Sequence, residues 1–282
     1  MDGCYLRPLS ADDMEAAMEL SVTEGWNQTV QDWKFLLEDP QHICVAAISG
    51  DKVIGTTVAL TYEERLAWVG MVLVNKAFRG KGISKLLLQY IFESCKTAMK
   101  LDATVFGEPV YRKFDFLQEY TIARMVHTGV ADISFNHDNL PRQALSKDFS
   151  AVVSLDEMAL GIKREKLIAY YMHQYPGKAL VLEEDNDIKA FVLGRDGYRY
   201  HHIGPIVAAT SAQAILLLKQ AFAALSGQPV VVDVPGDKKE MLQILEELNF
   251  TRQRQFIRMY RNENQFAGNL NKLFAIAGPE FG

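Results

Sequence analysis

The 282-residue chain repeats itself at long range. Trp68-Val69-Gly70-Met71-Val72-Leu73-Val74 aligns with His202-Ile203-Gly204-Pro205-Ile206-Val207-Ala208, position 68 against 202, an offset of 134. Phe114-Asp115-Phe116 and Ile122-Ala123-Arg124-Met125 align with Leu248-Asn249-Phe250 and Phe256-Ile257-Arg258-Met259 at the same offset. Between these segments Leu86-Leu87-Leu88 aligns with Leu216-Leu217-Leu218 at 130. The second copy is therefore four residues shorter between strand and helix, where the first carries Arg79-Gly80-Lys81-Gly82. Short apolar matches are cheap, but a constant offset with one internal gap is the mark of a duplicated fold. The chain reads as two copies, residues 1–130 and 145–262, followed by an apolar tail at 263–282 that is expected to pack back on the body.

Each copy has a mixed pattern. Residues 10–19 open with Ser10 and two aspartates before apolar positions at helical spacing, which predicts a capped helix. A second short helix is expected at 31–37, after a polar loop at 21–29 that holds Trp26. Residues 42–49 and 52–60 flank Gly50-Asp51 and read as a hairpin. An apolar strand at 67–74 precedes a turn-rich loop. Then Ile83, Leu86, Leu87, Tyr90, Ile91 and Cys95 mark an amphipathic helix over 83–96. Strands at 100–104 and 116–126 bracket a short helix near 109–113. This order predicts an α/β (α+β) class.

Composition narrows the function classes. Acidic residues number 35 against 30 basic, and no basic block stands out, so no nucleic-acid partner is expected. No apolar run reaches the roughly 18–20 residues needed to span a bilayer, and the first residues lack a signal pattern. No membrane association and a cytoplasmic location are the expectation. Cys4, Cys44 and Cys95 are far apart, so neither a disulfide framework nor a cysteine metal site is expected. His201-His202 are adjacent on a strand and face opposite sides, which suits a structural role better than a metal.

The loop Arg79-Gly80-Lys81-Gly82-Ile83-Ser84 joins a strand to a helix N-terminus. Its two glycines permit positive φ, so successive N–H groups can converge on one anion beside the positive end of the helix dipole. It is neither a Walker A loop nor a dinucleotide fingerprint. Val72-Leu73-Val74-Asn75-Lys76-Ala77-Phe78-Arg79-Gly80-Lys81-Gly82-Ile83 resembles motif A of the GNAT acyl-CoA-dependent N-acetyltransferases. Downstream, Val110-Tyr111-Arg112-Lys113-Phe114-Asp115-Phe116 resembles that family's Leu-Tyr-x-x-x-Gly-Phe segment, with Asp115 in place of the glycine. The second copy resembles a degenerate GNAT lobe, as in two-lobed bacterial YitH-like proteins. The fold implied is two tandem lobes, each a mixed, mostly antiparallel sheet flanked by helices.

The resemblance implies one acetyl-CoA site per chain, in the first lobe, and no metal. Met71, Val72, Leu73 and Val74 would pair their backbone with the pantetheine arm. Arg79, Gly80, Lys81, Gly82, Ile83 and Ser84 would hold the pyrophosphate. The reaction implied is direct attack of a primary amine of a small molecule on the thioester, with a backbone N–H near Leu73 stabilising the oxyanion. Tyr111 is the expected acid for the departing thiolate. Glu24 is the expected base, ahead of Glu108 and Asp102, with Trp26 and Asn27 contacting the acceptor. A non-catalytic acyl-CoA-binding regulator and a protein N-acetyltransferase are the alternatives. The oligomeric state is not readable.

Overall fold

Arginine and aspartate open both halves of the molecule in the same way. The structure, a computed structural model, describes residues 3–130 and 140–282. In β1 (Cys4–Pro8) Arg7 makes two 2.7 Å bonds to Asp13, which also accepts from the Ser10 amide at 2.9 Å. In the second half Arg142 binds Asp148 at 2.7 and 2.9 Å, and Asp148 accepts from the Leu145 amide at 2.7 Å. The duplication thus extends to the entrance of the first helix in each copy.

From that turn the first half runs α1 (Met14–Thr23), α2 (Val30–Glu38), β2 (Ile43–Ser49), β3 (Lys52–Tyr62), β4 (Leu66–Val74), α3 (Ile83–Ser94), β5 (Ala98–Thr104), α4 (Glu108–Arg112) and β6 (Phe116–His127). The first helix starts later than its sequence pattern, because residues Ala11–Asp13 form a 3-10 turn. It also runs three residues into the stretch that reads as loop, and ends before Gly25 at φ 66°. The second half repeats the plan with β7 (Arg142–Gln143), α5 (Phe149–Leu160), α6 (Glu165–Gln174), β8 (Leu180–Glu184), β9 (Asp187–Arg195), β10 (His201–Val207), α7 (Ser211–Ala223), β11 (Val230–Pro235), α8 (Lys239–Glu247) and β12 (Thr251–Arg261), and then adds β13 (Leu273–Ala275). Asp115 and Asn249, 134 apart, both sit at left-handed φ, 64° and 63°, where a short polar side chain substitutes for glycine.

The halves share one thirteen-stranded sheet, in the order β1-β2-β3-β4-β5-β12-β6-β11-β10-β9-β8-β7, with β13 added on β10. It is mostly antiparallel. Parallel pairing joins β4 to β5 and β10 to β11. The last strands are exchanged: β12 of the second half pairs with β5 of the first, and β6 of the first pairs with β11 of the second. β6 and β12 then pair with each other. Two edges that would otherwise face solvent are buried by this exchange.

Buried arginines hold the exchanged strands. Arg124 on β6 grips Asp233 on β11 at 2.8 and 2.7 Å, and Arg258 on β12 grips Asp102 on β5 at 2.9 and 2.8 Å. These are the two arginines of the repeated Arg-Met ending. Each reaches a carboxylate in the opposite half. Trp68 stacks on Arg258, 4.5 Å from guanidinium carbon to ring centre. At the matching position His202 is fully buried, its Nε2 3.2 Å from Asp233.

Alternation along the strands divides the core into layers. On β2, Val45 and Ala47 face the cluster under α3, while Ala46 and Ile48 join the cluster under α1 and α2. That second cluster continues without a break through α5 and α6 of the other half. The tail enters it. Leu273, Ile276, Ala277 and Phe281 are buried there, and Arg164 donates to the Gly282 carbonyl at 2.6 Å.

Candidate active site

β4 and β5 pair only from Leu66–Trp68 against Ala98–Lys100 and then diverge. Beyond Trp68 the β5-facing edge of β4 has no strand partner among the described residues, and an extended ligand can complete it. On its other side β4 carries a bulge. Gly70 lies opposite Val58 and Leu73 opposite Thr56, so Met71 and Val72 have no register partner on β3. Met71 takes φ 52° there, and the Thr56 hydroxyl donates to its carbonyl at 2.9 Å. Positive φ at a non-glycine residue stores strain, and this position faces the cleft.

At the mouth of the wedge the chain builds the anion loop. Gly80 and Gly82 adopt φ 76° and 78°, and Gly82 is the N-cap of α3 without any side-chain cap. The first-turn amides of α3 are therefore left for a ligand. Asn75 caps the preceding turn by accepting from the Ala77 amide at 3.0 Å. Arg79 donates to the Val74 carbonyl at 3.1 Å and pairs with Glu24 at 2.5 Å. Lys81 lies over the Phe78 ring at 5.0 Å. Positive φ at both glycines and the uncapped helix start suit this backbone to an anion, and the Arg79 side chain braces it.

Two connected cavities follow the wedge. The outer one, about 810 Å³, is lined by Val72–Val74, the loop from Phe78 to Ser84 and the β5–α4 turn. The inner one, about 220 Å³, is lined by Val69–Val72, Asp102, Thr104, Tyr111, Arg124, Phe256, Pro279 and Glu280 among others. Trp26, Val72, Ser84, Thr104, Gly107 and Arg254 line both. The first half lines most of both, with Arg254 and Gln255 of the second half on the outer one and Arg254, Phe256, Pro279 and Glu280 on the inner one.

The expected site residues fall into groups. Met71 lies in the inner cavity, Val72 in both, and Leu73 and Val74 in the outer one. Arg79, Gly80, Gly82, Ile83 and Ser84 line the outer cavity, and Lys81 sits on the same loop. Tyr111 faces the inner cavity, edge-on to Phe116 at 6.0 Å. Burial pushes its phenol up to about 12, so it stays a proton donor at neutral pH. Trp26 forms the wall between the cavities. Asn27 is instead structural: it donates to the Tyr200 carbonyl at 2.9 Å and accepts from the Arg199 and Tyr200 amides at 2.9 and 3.0 Å. Glu24, expected as the base, lies instead on the anion-loop side with Arg79, because α1 ends beside that loop.

The other carboxylates weighed as bases are also engaged, Glu108 with Arg112 and Asp102 with Arg258. His201 pairs with Asp196 at 2.9 Å. Sequence reasoning missed Gln28, Arg254 and Glu280 in the cavity walls. Glu280 had one signal, a lone charged side chain within the apolar last stretch, residues 273–282. Among the described residues no cluster of three or more metal-binding side chains occurs, and no helix is long and apolar enough to cross a membrane.

Comparison with known proteins places this geometry. Residues 8–116 match the Acetyltransferase (GNAT) family, and residues 152–275 match an Acetyltransferase (GNAT) domain. A holothin acyltransferase from Pseudoalteromonas sp. (strain SANK 73390) is 24% identical, over 98% of this chain and 94% of its own. Two solved structures share the fold over nearly the whole length. A candidate acetyltransferase from Pyrococcus horikoshii superposes with a TM-score of 0.83 at 22% identity, covering 100% of this chain and 97% of its own. A GCN5-related N-acetyltransferase from Sphaerobacter thermophilus gives 0.70 at 14% identity, covering 95% and 99%. A tandem GNAT protein from the clavulanic acid biosynthesis pathway gives 0.61 at 13% identity, covering 91% of this chain and 98% of its own.

Proposed function

Because this chain belongs to the GNAT acetyltransferase family, with one GNAT domain in each half, we propose that it transfers an acetyl group from acetyl-CoA to a primary amine of a small molecule. The observation that carries this reading is the open wedge of the first half, with its unpaired β4 edge, uncapped α3 and adjoining Tyr111. The backbone of residues 80–84 takes the pyrophosphate, and the edge at 71–74 takes the pantetheine arm. These groups are neutral and fixed, so they bind a diphosphate without ordering long side chains.

The thioester then lies where the two cavities meet. Amine nitrogen attacks the carbonyl carbon, and the bulge at Met71 and Val72 presents the backbone beside the developing oxyanion. The C–S bond breaks as Tyr111 gives its proton to the thiolate. A small acceptor is supported by the size of the inner cavity, about 220 Å³, with Phe256, Pro279 and Glu280 of the second half and tail in its walls. Similarity to the holothin acyltransferase over both halves supports acyl transfer by the intact two-lobed chain.

Thiol release from acetyl-CoA with a panel of small primary amines and lysine peptides tests the proposal. Release with small amines and none with peptides is the expected result. Tight acetyl-CoA binding without release under any acceptor would favour a regulatory binding protein.

A further inference from the structure

Three carboxylates line the two cavities, Glu24, Asp102 and Glu280. Glu24 is committed to Arg79, and Asp102 accepts two bonds from Arg258. Glu280 differs. It is 4% exposed, it lines the inner cavity, and Arg195 is the donor seen on its carboxylate. Arg195 is divided, because its Nη1 also donates to Asp32 at 2.8 Å.

Two carboxylates thus share one guanidinium in this buried trio. Asp32 spreads its share over further donors: the Thr29 amide at 2.7 Å, the Thr29 hydroxyl at 2.9 Å and the Tyr170 hydroxyl at 3.2 Å. Glu280 has the Arg195 donor alone among the described residues, which leaves acceptor capacity on its carboxylate. Nearby, the Gln28 side chain also lines the inner cavity, 5% exposed, with its Oε1 buried and lacking a partner among the described residues. Both side chains thus line one small space, and a buried acceptor without a donor is costly. An –NH₂ group satisfies both.

We propose that Glu280, delivered by the tail, is the acceptor-site base: its carboxylate takes one N–H of the amine and Gln28 Oε1 takes the other. This inference rests on the acetyl-transfer reading above and names the base within it. As nitrogen bonds to the thioester carbon, its proton passes to Glu280, and the proton of Tyr111 passes to the departing sulfur. Solvent then returns a proton to Tyr111 and removes one from Glu280, which closes the balance. The tail comes near the bulge beside Gly70. A Cβ there would lie 3.4 Å from the Glu280 Cα, an ordinary contact distance, so the tail passes directly against the strand at Gly70.

Steady-state kinetics and acetyl-CoA calorimetry on Glu280→Gln, Glu280→Asp and Gln28→Leu test it. Glu280→Gln keeps an oxygen acceptor for Arg195 and removes the carboxylate, so the fold should be retained. We expect kcat to fall about 100-fold with the acetyl-CoA Kd within about twofold. Glu280→Asp should recover at least about a tenth of the lost rate, and Gln28→Leu should raise the amine KM about tenfold with kcat largely kept. A kcat within about twofold of wild type in Glu280→Gln overturns the assignment. So does a parallel loss of acetyl-CoA binding, which marks a structural role. Should Glu280→Gln fail to fold, an unchanged amine KM in Gln28→Leu with no loss in Glu280→Asp overturns it. Absence of transfer by the wild-type chain overturns the acetyl-transfer reading itself, and this inference with it.

Discussion

The two halves contain the same wedge and use it in opposite ways. In the first, β4 and β5 diverge after Trp68 and leave a cavity. In the second, β10 and β11 pair over His201–Ile203 with Val230–Val232 and diverge in the same manner. There β13 lies in the gap, pairing with β10 at Ile206 and Val207, and the Ile276 amide donates to the Asp233 carbonyl at 3.0 Å. The tail of the chain occupies the place that the first half keeps for an extended ligand. The helix ends differ as well. α7 is capped by the Thr210 side chain, and Gln213 Oε1 accepts from the Ala209 amide at 3.1 Å, whereas α3 has no side-chain cap. The duplicated fold thus keeps one wedge open beside an uncapped helix, and in the other copy the wedge is filled and the helix capped.

The comparison can be broken most severely at Phe281, where the tail locks into the core. This ring is fully buried against Phe35, Tyr171 and Arg195, and its carbonyl accepts from Tyr62 at 2.7 Å. Phe281→Ala should cost about 3–5 kcal/mol, read from the urea midpoint at constant m-value.

Next comes the open helix end. Gly82→Val places a β-branched side chain at φ 78° and turns the loop amides away. Calorimetry should show one acetyl-CoA per chain in the wild type, and a loss of affinity on the order of 100-fold in the variant. Transfer of binding to the second wedge would show that the tail does not close it.

Tyr111→Phe should lower kcat about 30- to 100-fold and leave acetyl-CoA affinity unchanged. With its phenol pushed up to about 12, wild-type kcat should show no tyrosine ionisation below about pH 10. A basic limb at lower pH, lost in the variant, would contradict that environment.

The smallest effect compares the two entrances. The hydrogen bond from Arg7 holds the Asp13 carboxyl below its usual range, and that from Arg142 does the same for Asp148. Each lowered carboxyl contributes stability that is present above the ordinary value near 4 and lost as pH falls through its own lower value. Asp13→Asn and Asp148→Asn should each cost about 1 kcal/mol at pH 7, reduced by the partial exposure of both arginines. The loss should vanish under acid conditions, as read from thermal melts across pH.

Much of the fold is legible because it rests on local chemistry. The helix at α3, the hairpin of β2 and β3, and the αL position of Asp115 follow from periodicity, a Gly-Asp turn and a short polar side chain. The anion loop is legible for the same reason, since its glycines and the helix start are neighbours in sequence. Glu24, Asn27 and Glu280 were not legible. Whether a carboxylate faces a thioester or an arginine depends on which cation arrives from elsewhere. Glu24 meets Arg79 because α1 ends beside the loop, and Asn27 is used by a turn some 170 residues away.

By itself the sequence determined that one fold occurs twice, that the anion loop survives once, and that an Arg-Met ending recurs at a constant offset. It held nothing that tells Arg124 from Arg258 in their choice of partner. Each could have paired within its own half. Only the tertiary structure decided that β6 and β12 exchange places, so that each arginine meets the opposite half's aspartate and the tail is drawn across the second wedge to the rim of the first. The reason is physical. Local signals fix elements, but an ion pair or a filled gap is settled by which surfaces remain unburied once all elements compete for the same core.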